Sequence, residues 1–378
     1  MIDGCTLTVC RAQDAGAWQL FVLCTPPASA QDSAGQAAAI YAALGKFLQQ
    51  AHVALSAIVR ETIFFADIAQ DQAVVRAVRD AGMSDADYSP ALLEIGQPPL
   101  DEAHRLEVAL HIEHIAQQDA QPLRVEVPTQ EGAARGLCLL ANGEKHLHAA
   151  GILGAGESAY EQTHAMFETA ERLLQEAGMT FADVVRTWIH FSEMDRDYAQ
   201  FNQARRAFFD AYAIDPPPAS TGIGGIVGAP GRSVCLGLYA VAGRSATTRQ
   251  VMTTPTLNEA PQYGADFSRG MRIQQGDGAL LFVSGTASLD ETGATVHQDD
   301  TSAQIDRMLL NLQALLAEQG ADFTQVMSAI TYLKHPADAA LLQTKLAQAG
   351  FEGFPNALVN ARICRPDLLC EIELLARL

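Results

Sequence analysis

Two glutamates lie in the apolar segment that closes the chain, ICRPDLLCEIELLARL (363–378). The run of leucines and isoleucine predicts a buried final strand, and side-chain alternation puts Glu371 and Glu373 on the same face of it. Taking an ionised carboxylate out of water is unfavourable unless the group is paired or protonated. An apolar strand also raises the pKa of a carboxyl group, as a general acid requires. Both glutamates are therefore candidates for acid–base chemistry.

A cysteine and two arginines precede these glutamates: Cys364, Arg362 and Arg365. Guanidinium groups bind carboxylates through two parallel hydrogen bonds, so these arginines, together with Arg269, are candidates for holding an anionic substrate. A free cysteine is usually a small packing residue, and its alternative role is direct chemistry through the thiol. Both roles remain open for Cys364.

The composition limits the class of protein. The 378 residues have the apolar and charged fractions of an ordinary globular protein, and their net charge of −19 repels nucleic acids at long range. The N-terminus lacks a basic region followed by an apolar core, and no apolar run approaches the roughly 20 residues of a membrane span. We therefore expect a cytoplasmic protein with reduced thiols, whose partner is a small anionic metabolite and neither a nucleic acid nor a membrane.

One pattern occurs three times along the chain. It consists of a helix end, a turn and an apolar strand, and the copies start 126 and 142 residues apart, at 48–65, 174–191 and 316–333. A second helix follows each copy, and an alternating strand closes each unit, at 105–115, 232–243 and 367–378. The sequence thus predicts an α+β fold of three tandem units. Their predicted bounds are 1–120, 130–245 and 260–378, joined by linkers near 116–133 and 244–262.

The segment 301–318 shows how the elements of each unit pack. Its apolar residues recur at helical spacing on one face, which predicts a helix on one side of a mixed sheet. Thr301 and Gln304 form a capping-box pattern before it, and Gly320 suits a left-handed stop after it. The other face of each sheet then needs cover, which the other two units supply. We expect three inward-facing sheets arranged as an intramolecular pseudo-trimer.

Three further motifs have weaker functional interpretations. Gly285 and Thr286 follow an apolar strand. The glycine either lets an anion approach the backbone closely or simply marks the point where the chain leaves the strand. Two histidine pairs, His111 with His114 and His146 with His148, lack a third ligand at strand or helix spacing. No metal and no cofactor are predicted.

The third unit resembles the Rid (YjgF-like) superfamily, whose small subunits form trimers with ligand sites between subunits. The resemblance lies in APQYGADFSRGMRI (260–273), LLFVSGTASLDETGATVHQDD (280–300), LLAEQGADFTQVMSAITYL (315–333) and CRPDLLCEIE (364–373), in that order. It is clear in the third unit, weaker in the second and limited to the general pattern in the first. It implies a chorismate-mutase-like fold in each unit and an intramolecular version of the trimer.

Chorismatases share this fold and end in a strand similar to CRPDLLCEIE. This resemblance implies that Glu371 protonates the methylene carbon of the enolpyruvyl ether of chorismate, after which pyruvate leaves. Chorismatases with a cysteine seven residues before this glutamate make 3-hydroxybenzoate. Cys364 is at that position, so the resemblance also implies this product. Tyr263 and Phe267 correspond to aromatic pocket residues, so the implied substrate-binding set is Arg362, Arg365, Arg269, Gly285, Thr286, Phe267 and Tyr263.

Two alternatives remain open. Imine deaminases of the superfamily use the same glutamate to position water and an arginine 15 residues earlier to hold the substrate, but that position is Asn356 here. The second unit has Leu236 at the position aligned with Glu371, so we expect only the third unit to keep the acid and the first two to act as scaffold. A non-catalytic module that binds a metabolite or a protein is the other alternative. The fused chain is expected to be a monomer or a homodimer.

Overall fold

The computed structural model describes residues 1–14, 17–84, 88–115, 122–130, 132–141, 143–243, 248–260, 265–275 and 278–378. The helices in these residues are α1 Ser33–Gln50, α2 Ile68–Gly82, α3 Ala159–Glu176, α4 Met194–Ala211, α5 Thr301–Ala317 and α6 Ala339–Gln348. The strands are β1 Thr6–Asp14, β2 Ala17–Thr25, β3 Ile58–Phe65, β4 Ala91–Gly96, β5 Leu106–Ile115, β6 Leu123–Thr129, β7 Gly132–Ala141, β8 Glu144–Ile152, β9 Val184–Phe191, β10 Ala219–Gly224, β11 Ile226–Val227, β12 Val234–Ala242, β13 Gln250–Val251, β14 Gly270–Gln275, β15 Gly278–Ala287, β16 Val326–Leu333, β17 Asn356–Asn360 and β18 Cys370–Arg377.

The three tandem α+β units predicted from the repeats are confirmed. In each copy, a short 3-10 turn connects the end of the first helix to a strand, and the strands β3, β9 and β16 end at the last residues of the three repeated segments. The sheet orders are β1-β2-β5-β3-β4-β11, β10-β9-β12-β8-β7-β6 and β13-β14-β15-β18-β16-β17. Each sheet is mixed, because β3–β4, β9–β10 and β16–β17 are parallel pairs whereas the other pairs are antiparallel.

Two short strands form pairings that the sequence did not predict. Strand β11 follows the β10 strand of the second sheet, yet it pairs with β4 of the first. Strand β13 lies in the stretch 244–262 that was predicted as a linker, and it pairs with β14 of the third sheet. The β4–β11 pairing therefore adds backbone contacts between the first and second units to the side-chain packing.

Helix α5 has the predicted buried face but a different N-terminal cap. Ile305, Leu309 and Leu312 are buried along the sheet-facing side. The cap is Asp300, whose side chain accepts the Ala303 N–H at 2.9 Å, in place of the predicted Thr301. Gly320 ends this segment at φ +77°, a conformation that favours glycine.

The inner faces of the three sheets pack against one another. One apolar cluster combines Phe21 of the first unit, Tyr239 of the second and Phe282 of the third, with smaller residues from all three. On the helix side of the sheets, one apolar cluster consists of first-unit residues, a second mainly of second-unit residues, and a third mainly of third-unit residues. Clefts between neighbouring sheets are thus part of the folded chain. Among the described residues, none of the helices has the length and apolar character needed to cross a membrane.

Candidate active site

A cavity of about 230 Å³ lies between the second and third units. The third unit contributes most of its wall, and helix α4 of the second unit contributes Tyr198 and Asn202. Six residues proposed from the sequence line this cavity together: Phe267, Arg269, Gly285, Cys364, Arg365 and Glu371. An acid, a thiol and two guanidinium groups thus share one small space.

Glu371 is the buried acid of this cavity. It lies on the central strand β18, between β15 and β16, and is only 4% exposed. Burial and, to a smaller extent, the nearby Glu373 raise its pKa to about 8, against opposing effects of Arg186 and Arg269. Its carboxyl group has no side-chain hydrogen-bond partner within the described ranges. Glu371 is therefore protonated at neutral pH and can donate its proton to a ligand in the cavity.

Gly285 creates the space that the Glu371 carboxyl occupies. The register between β15 and β18 shifts between Val283 and Thr286, so Gly285 lies in an irregular part of the strand. A Cβ atom built on Gly285 would lie 2.0 Å from Oε1 of Glu371. The Gly285 N–H donates to the Thr221 hydroxyl at 2.9 Å, so this amide is already used within the protein. Glycine is needed here for the close approach of the acid.

Glu373 lies on the same face of β18 but has fixed partners. Arg186 donates to one carboxylate oxygen at 2.9 Å, and the Trp188 indole N–H donates to the other at 2.7 Å. Both partners come from β9 of the second unit. Glu373 lines a different, central cavity. Its role near Glu371 is electrostatic, since its negative charge disfavours ionisation of the neighbouring acid.

Two of the three proposed arginines line the cavity. The Arg269 side chain is buried, and its Nε donates to the Asn258 carbonyl at 2.8 Å. Arg365 donates through Nη1 to the Gly293 carbonyl at 2.7 Å. Arg362 is placed differently: its side chain is 69% exposed and forms an ion pair with Asp195 outside the cavity. The turn before β18 sends its two arginines in different directions, which the sequence spacing did not reveal.

Cys364 is a protonated thiol in this environment. Burial raises its pKa to about 12, and the proximity of Glu371 contributes in the same direction. Arg365 and a hydrogen bond with Tyr198 lower it by less. The thiol is therefore a neutral neighbour of the acid at physiological pH, and its direct use as a nucleophile requires loss of a strongly held proton.

Two proposed residues do not contribute to the described cavity wall. Thr286 is buried, and its hydroxyl donates to the Ser284 carbonyl at 2.9 Å. Tyr263 lies outside the described residues.

Strand register corrects the predicted equivalence of the three units. Glu371 pairs with Tyr332, the seventh residue of β16, and the seventh residues of β9 and β3 pair with Cys235 and Glu107. The second unit therefore has Cys235 at the position of the acid, one residue before the predicted Leu236. The expectation that only the third unit keeps an acid is wrong. Counting along the chain failed because the loops before the final strands differ in length.

Glu107 of the first unit differs from Glu371 in its surroundings. It is buried, and burial raises its pKa, but His104 lies beside it with Nδ1 at 2.7 Å from the carboxylate. A His–Glu pair of this kind stabilises the carboxylate within the unit. The cavity that contains Glu371 is lined by the second and third units only, so Glu107 has no part in it.

Three functional candidates escaped the sequence reasoning. Tyr198 and Asn202 are four residues apart on one face of α4, but they reach the cavity from a neighbouring unit. Tyr332 is fully buried opposite Glu371 in the strand register, and its hydroxyl has no hydrogen-bond partner among the described residues. The helical spacing of Tyr198 and Asn202 was a signal in the sequence, whereas nothing in the sequence distinguishes Tyr332 from an ordinary core residue.

The potential metal ligands in the described part of the chain lie elsewhere. His111, Glu113 and His148 form one such group, which combines one member of each predicted histidine pair. They line the central cavity and not the Glu371 cavity.

The fold and this cavity define a fused protein of three α+β units with a buried acid in a cleft between two of them. A family profile described as endoribonuclease L-PSP matches residues 136–226 and 257–378, more than half of the chain. The chain belongs to this family, which is part of the Rid superfamily.

Individual relatives are distant. The protein DfrA of Myxococcus xanthus is 28% identical over 106 residues, which are 28% of this chain and 79% of that protein. A RutC family protein of Pyrococcus abyssi is 28% identical over 120 residues, 31% of this chain and 91% of that protein. Among solved structures, a chorismatase matches with a TM-score of 0.63 at 18% identity, covering 85% of this chain and 93% of the other. At that identity, the chorismatase likeness shows the shared fold.

Proposed function

We propose that this protein is a chorismatase-like enzyme that cleaves the enolpyruvyl ether of chorismate, or of a similar anionic enol ether, and releases pyruvate. The observation that carries the proposal is the protonated Glu371 in a small cavity with two arginines. Carbon protonation requires a carboxylic acid that keeps its proton at neutral pH, and burial of Glu371 meets this requirement. The shared fold with a chorismatase supports the same reaction class.

In the proposed mechanism, Glu371 transfers its proton to the terminal methylene carbon of the enol ether. The electrons of the carbon–carbon double bond form the new C–H bond, and the ether carbon becomes an oxocarbenium centre. Water adds to this carbon and returns a proton to the Glu371 carboxylate. In the resulting hemiketal, the hydroxyl oxygen forms the carbonyl of pyruvate as the C–O bond from this carbon to the ring oxygen breaks. The proton that the hydroxyl group loses goes to the ring oxygen, so pyruvate and a ring alcohol leave.

Arg269 and Arg365 are the proposed anion-binding residues. Both line the cavity, and charge-assisted hydrogen bonds from guanidinium groups are strong in a partly buried site. We exclude Arg362 from this role because its side chain pairs with Asp195 at the surface. Phe267 and Tyr198 line the same space and provide aromatic surface for the ring. Cys364 contributes as a neutral thiol beside the acid, where it shapes the path of the intermediate.

Incubation of the protein with chorismate tests the proposal, with pyruvate followed by a coupled lactate dehydrogenase assay. We expect pyruvate release from the native protein and none above background from Glu371→Gln. Native, folded protein that releases no pyruvate contradicts the proposal.

The cavity also favours a second candidate, hydrolysis of a carboxylate-bearing imine or enamine. This chain has Asn356 where the deaminases have the substrate-binding arginine, and the Asn356 side chain accepts a hydrogen bond from Thr331 at 2.9 Å. Arg269 and Arg365 line the Glu371 cavity and would bind the substrate carboxylate in place of that arginine. Semicarbazide trapping of 2-aminoacrylate, with and without the protein, tests this candidate. If both assays are negative and aromatic acids do not shift the melting temperature, a non-catalytic binding role is favoured.

A further inference from the structure

Three side chains with metal-binding atoms meet in the central cavity, away from Glu371. His111 and Glu113 lie on β5 of the first unit, and His148 lies on β8 of the second. Nε2 of each histidine lies 3.3 Å from Oε1 of Glu113. All three donor atoms lie within 4.8 Å of one another, in a cavity of about 130 Å³.

Hydrogen bonds within the described residues do not account for the close approach of these three side chains. Neither the His111 Nε2 nor the His148 Nε2 has a hydrogen-bond partner of acceptable geometry in the ranges that the structure describes, although both atoms are buried. Buried polar atoms without partners are unusual in native proteins and call for an unseen partner. With bonds of about 2.0 to 2.1 Å to nitrogen or oxygen, a tetrahedral metal ion separates its ligand atoms by about 3.4 Å. The two histidine-to-glutamate separations of 3.3 Å match that spacing, and the two histidine nitrogens lie within 4.8 Å of each other.

Gln19 is a further potential ligand at the same place. It is the cross-strand partner of Glu113 in the β2–β5 register, so the two side chains are close neighbours. Gln19 is only 7% exposed, lines the same cavity, and has an Oε1 without a partner among the described residues. Three residues with unpartnered side-chain atoms, Gln19, His111 and His148, therefore line the cavity that Glu113 also lines.

Two arginines in the same cavity limit what else binds there. Arg186 is paired with Glu373 at 2.9 Å, and the Arg60 guanidinium lies 3.6 Å over the Trp188 ring. Arg60 adds positive charge near His111. This charge opposes a bare cation and favours an anionic ligand, such as hydroxide or a carboxylate, at the remaining coordination position.

We propose that His111, Glu113 and His148 bind one divalent first-row transition-metal ion, with Zn²⁺ as the first candidate, and leave a coordination position open to the central cavity. Two imidazoles and one carboxylate form a known ligand set for Zn²⁺ and for related ions. The His111 side chain is 16% exposed, although its Nε2 is buried. The site joins the first two units and is independent of the chemistry proposed for Glu371.

Metal titration of the full chain tests this proposal. After treatment with EDTA and removal of the chelator, the protein is titrated with Zn²⁺ or Co²⁺ in the presence of a phosphine reductant. We expect one ion per chain, a raised melting temperature, and Co²⁺ absorption bands of a nitrogen–oxygen site. Glu113→Gln and His148→Gln are expected to weaken binding by more than about 100-fold, because loss of even an outer partner costs about 10- to 100-fold.

His114→Asn is the matched control. His114 lies on the same strand but on the opposite face, where it stacks on Trp18, so binding should be unchanged. Failure of the folded native protein to retain an ion overturns the proposal. Equal affinity in the folded Glu113→Gln and His148→Gln proteins also overturns it. A thiolate charge-transfer band with Co²⁺ assigns the ion to cysteines and has the same consequence. If one variant does not fold, the other variant and the native Co²⁺ spectrum decide.

Discussion

Glu371 and Glu107 occupy equivalent positions in the final strands of the third and first units, and both are buried acids with raised pKa values. Their surroundings differ. Glu371 lines a cavity with two arginines and has no side-chain hydrogen bond within the described residues, whereas Glu107 is paired with His104 at 2.7 Å. The comparison teaches that burial alone does not make an acid useful. Open space beside the carboxyl group and the absence of a fixed partner distinguish the candidate catalytic residue.

Substitution of the two glutamates gives the largest expected contrast. Glu371→Gln keeps the shape of the side chain but removes the transferable proton, so chorismate cleavage should fall by about 100- to 10,000-fold. Glu107→Gln should leave kcat and KM within about twofold, because Glu107 lies outside the cavity. Coupled pyruvate assays on both folded proteins measure the contrast. Equal losses in the two variants contradict the assignment of Glu371.

Gly285→Ala should displace the acid without unfolding the protein. The new Cβ would lie 2.0 Å from the Glu371 Oε1, the mobile end of a side chain, so the carboxyl group moves and the backbone remains. We expect kcat to fall by about 100-fold, the scale of a misplaced catalytic group, with little change in melting temperature.

Gly237→Ala is its control, since the nearest atom to that new Cβ is 3.6 Å away. Activity of Gly285→Ala at the native level would show that the position of this carboxyl group does not matter.

The two arginines of the turn before β18 give a smaller contrast, in substrate binding. Arg365→Gln should raise KM by about 10-fold, as expected for loss of a charge-assisted hydrogen bond. Arg362→Gln should change KM by less than about twofold, because that side chain pairs with Asp195 at the surface. Steady-state kinetics on chorismate measure both values. A larger effect from Arg362 would place the anion site outside the described cavity.

The pH dependence gives the smallest effect near neutrality. Burial raises the pKa of Glu371 from 4.5 to about 8, so kcat/KM should be flat below that value and fall about tenfold per pH unit above it. For folding, the sign follows from linkage. Between pH 4.5 and about 8 the unfolded chain loses a proton that the folded chain keeps, so the contribution of Glu371 to stability declines across that window.

Urea unfolding of native protein and Glu371→Gln across this pH range checks the linkage. The decline with pH should be smaller in the variant. Identical slopes would mean that Glu371 has an ordinary pKa in the folded state.

Local patterns in the sequence predicted much of the fold and part of the site. The three repeats end at the last residues of β3, β9 and β16, because helix and strand periodicities are properties of neighbouring residues. Glu371, Gly285 and Cys364 were proposed from one strand, one strand exit and one turn, and the structure brings them together. Arg362 and Thr286 were proposed on the same grounds, yet their side chains make contacts elsewhere.

Other features depend on contacts between distant parts of the chain. Tyr198 reaches the Glu371 cavity from a helix more than 160 residues earlier. His111 and His148 belong to two different predicted pairs, and only the packing of β5 and β8 from separate units joins them around Glu113. The alignment of Glu107, Cys235 and Glu371 required the hydrogen-bonded register, because unequal loops shift any count along the chain.

The sequence by itself determined the three units, their helices and strands, and an acid on a buried strand, because these follow from hydrophobic periodicity within short segments. The tertiary structure decided which acid has a cavity, which arginines face it, and which histidines meet. Those properties depend on how separate units pack, and packing places side chains at distances that spacing along a chain does not encode.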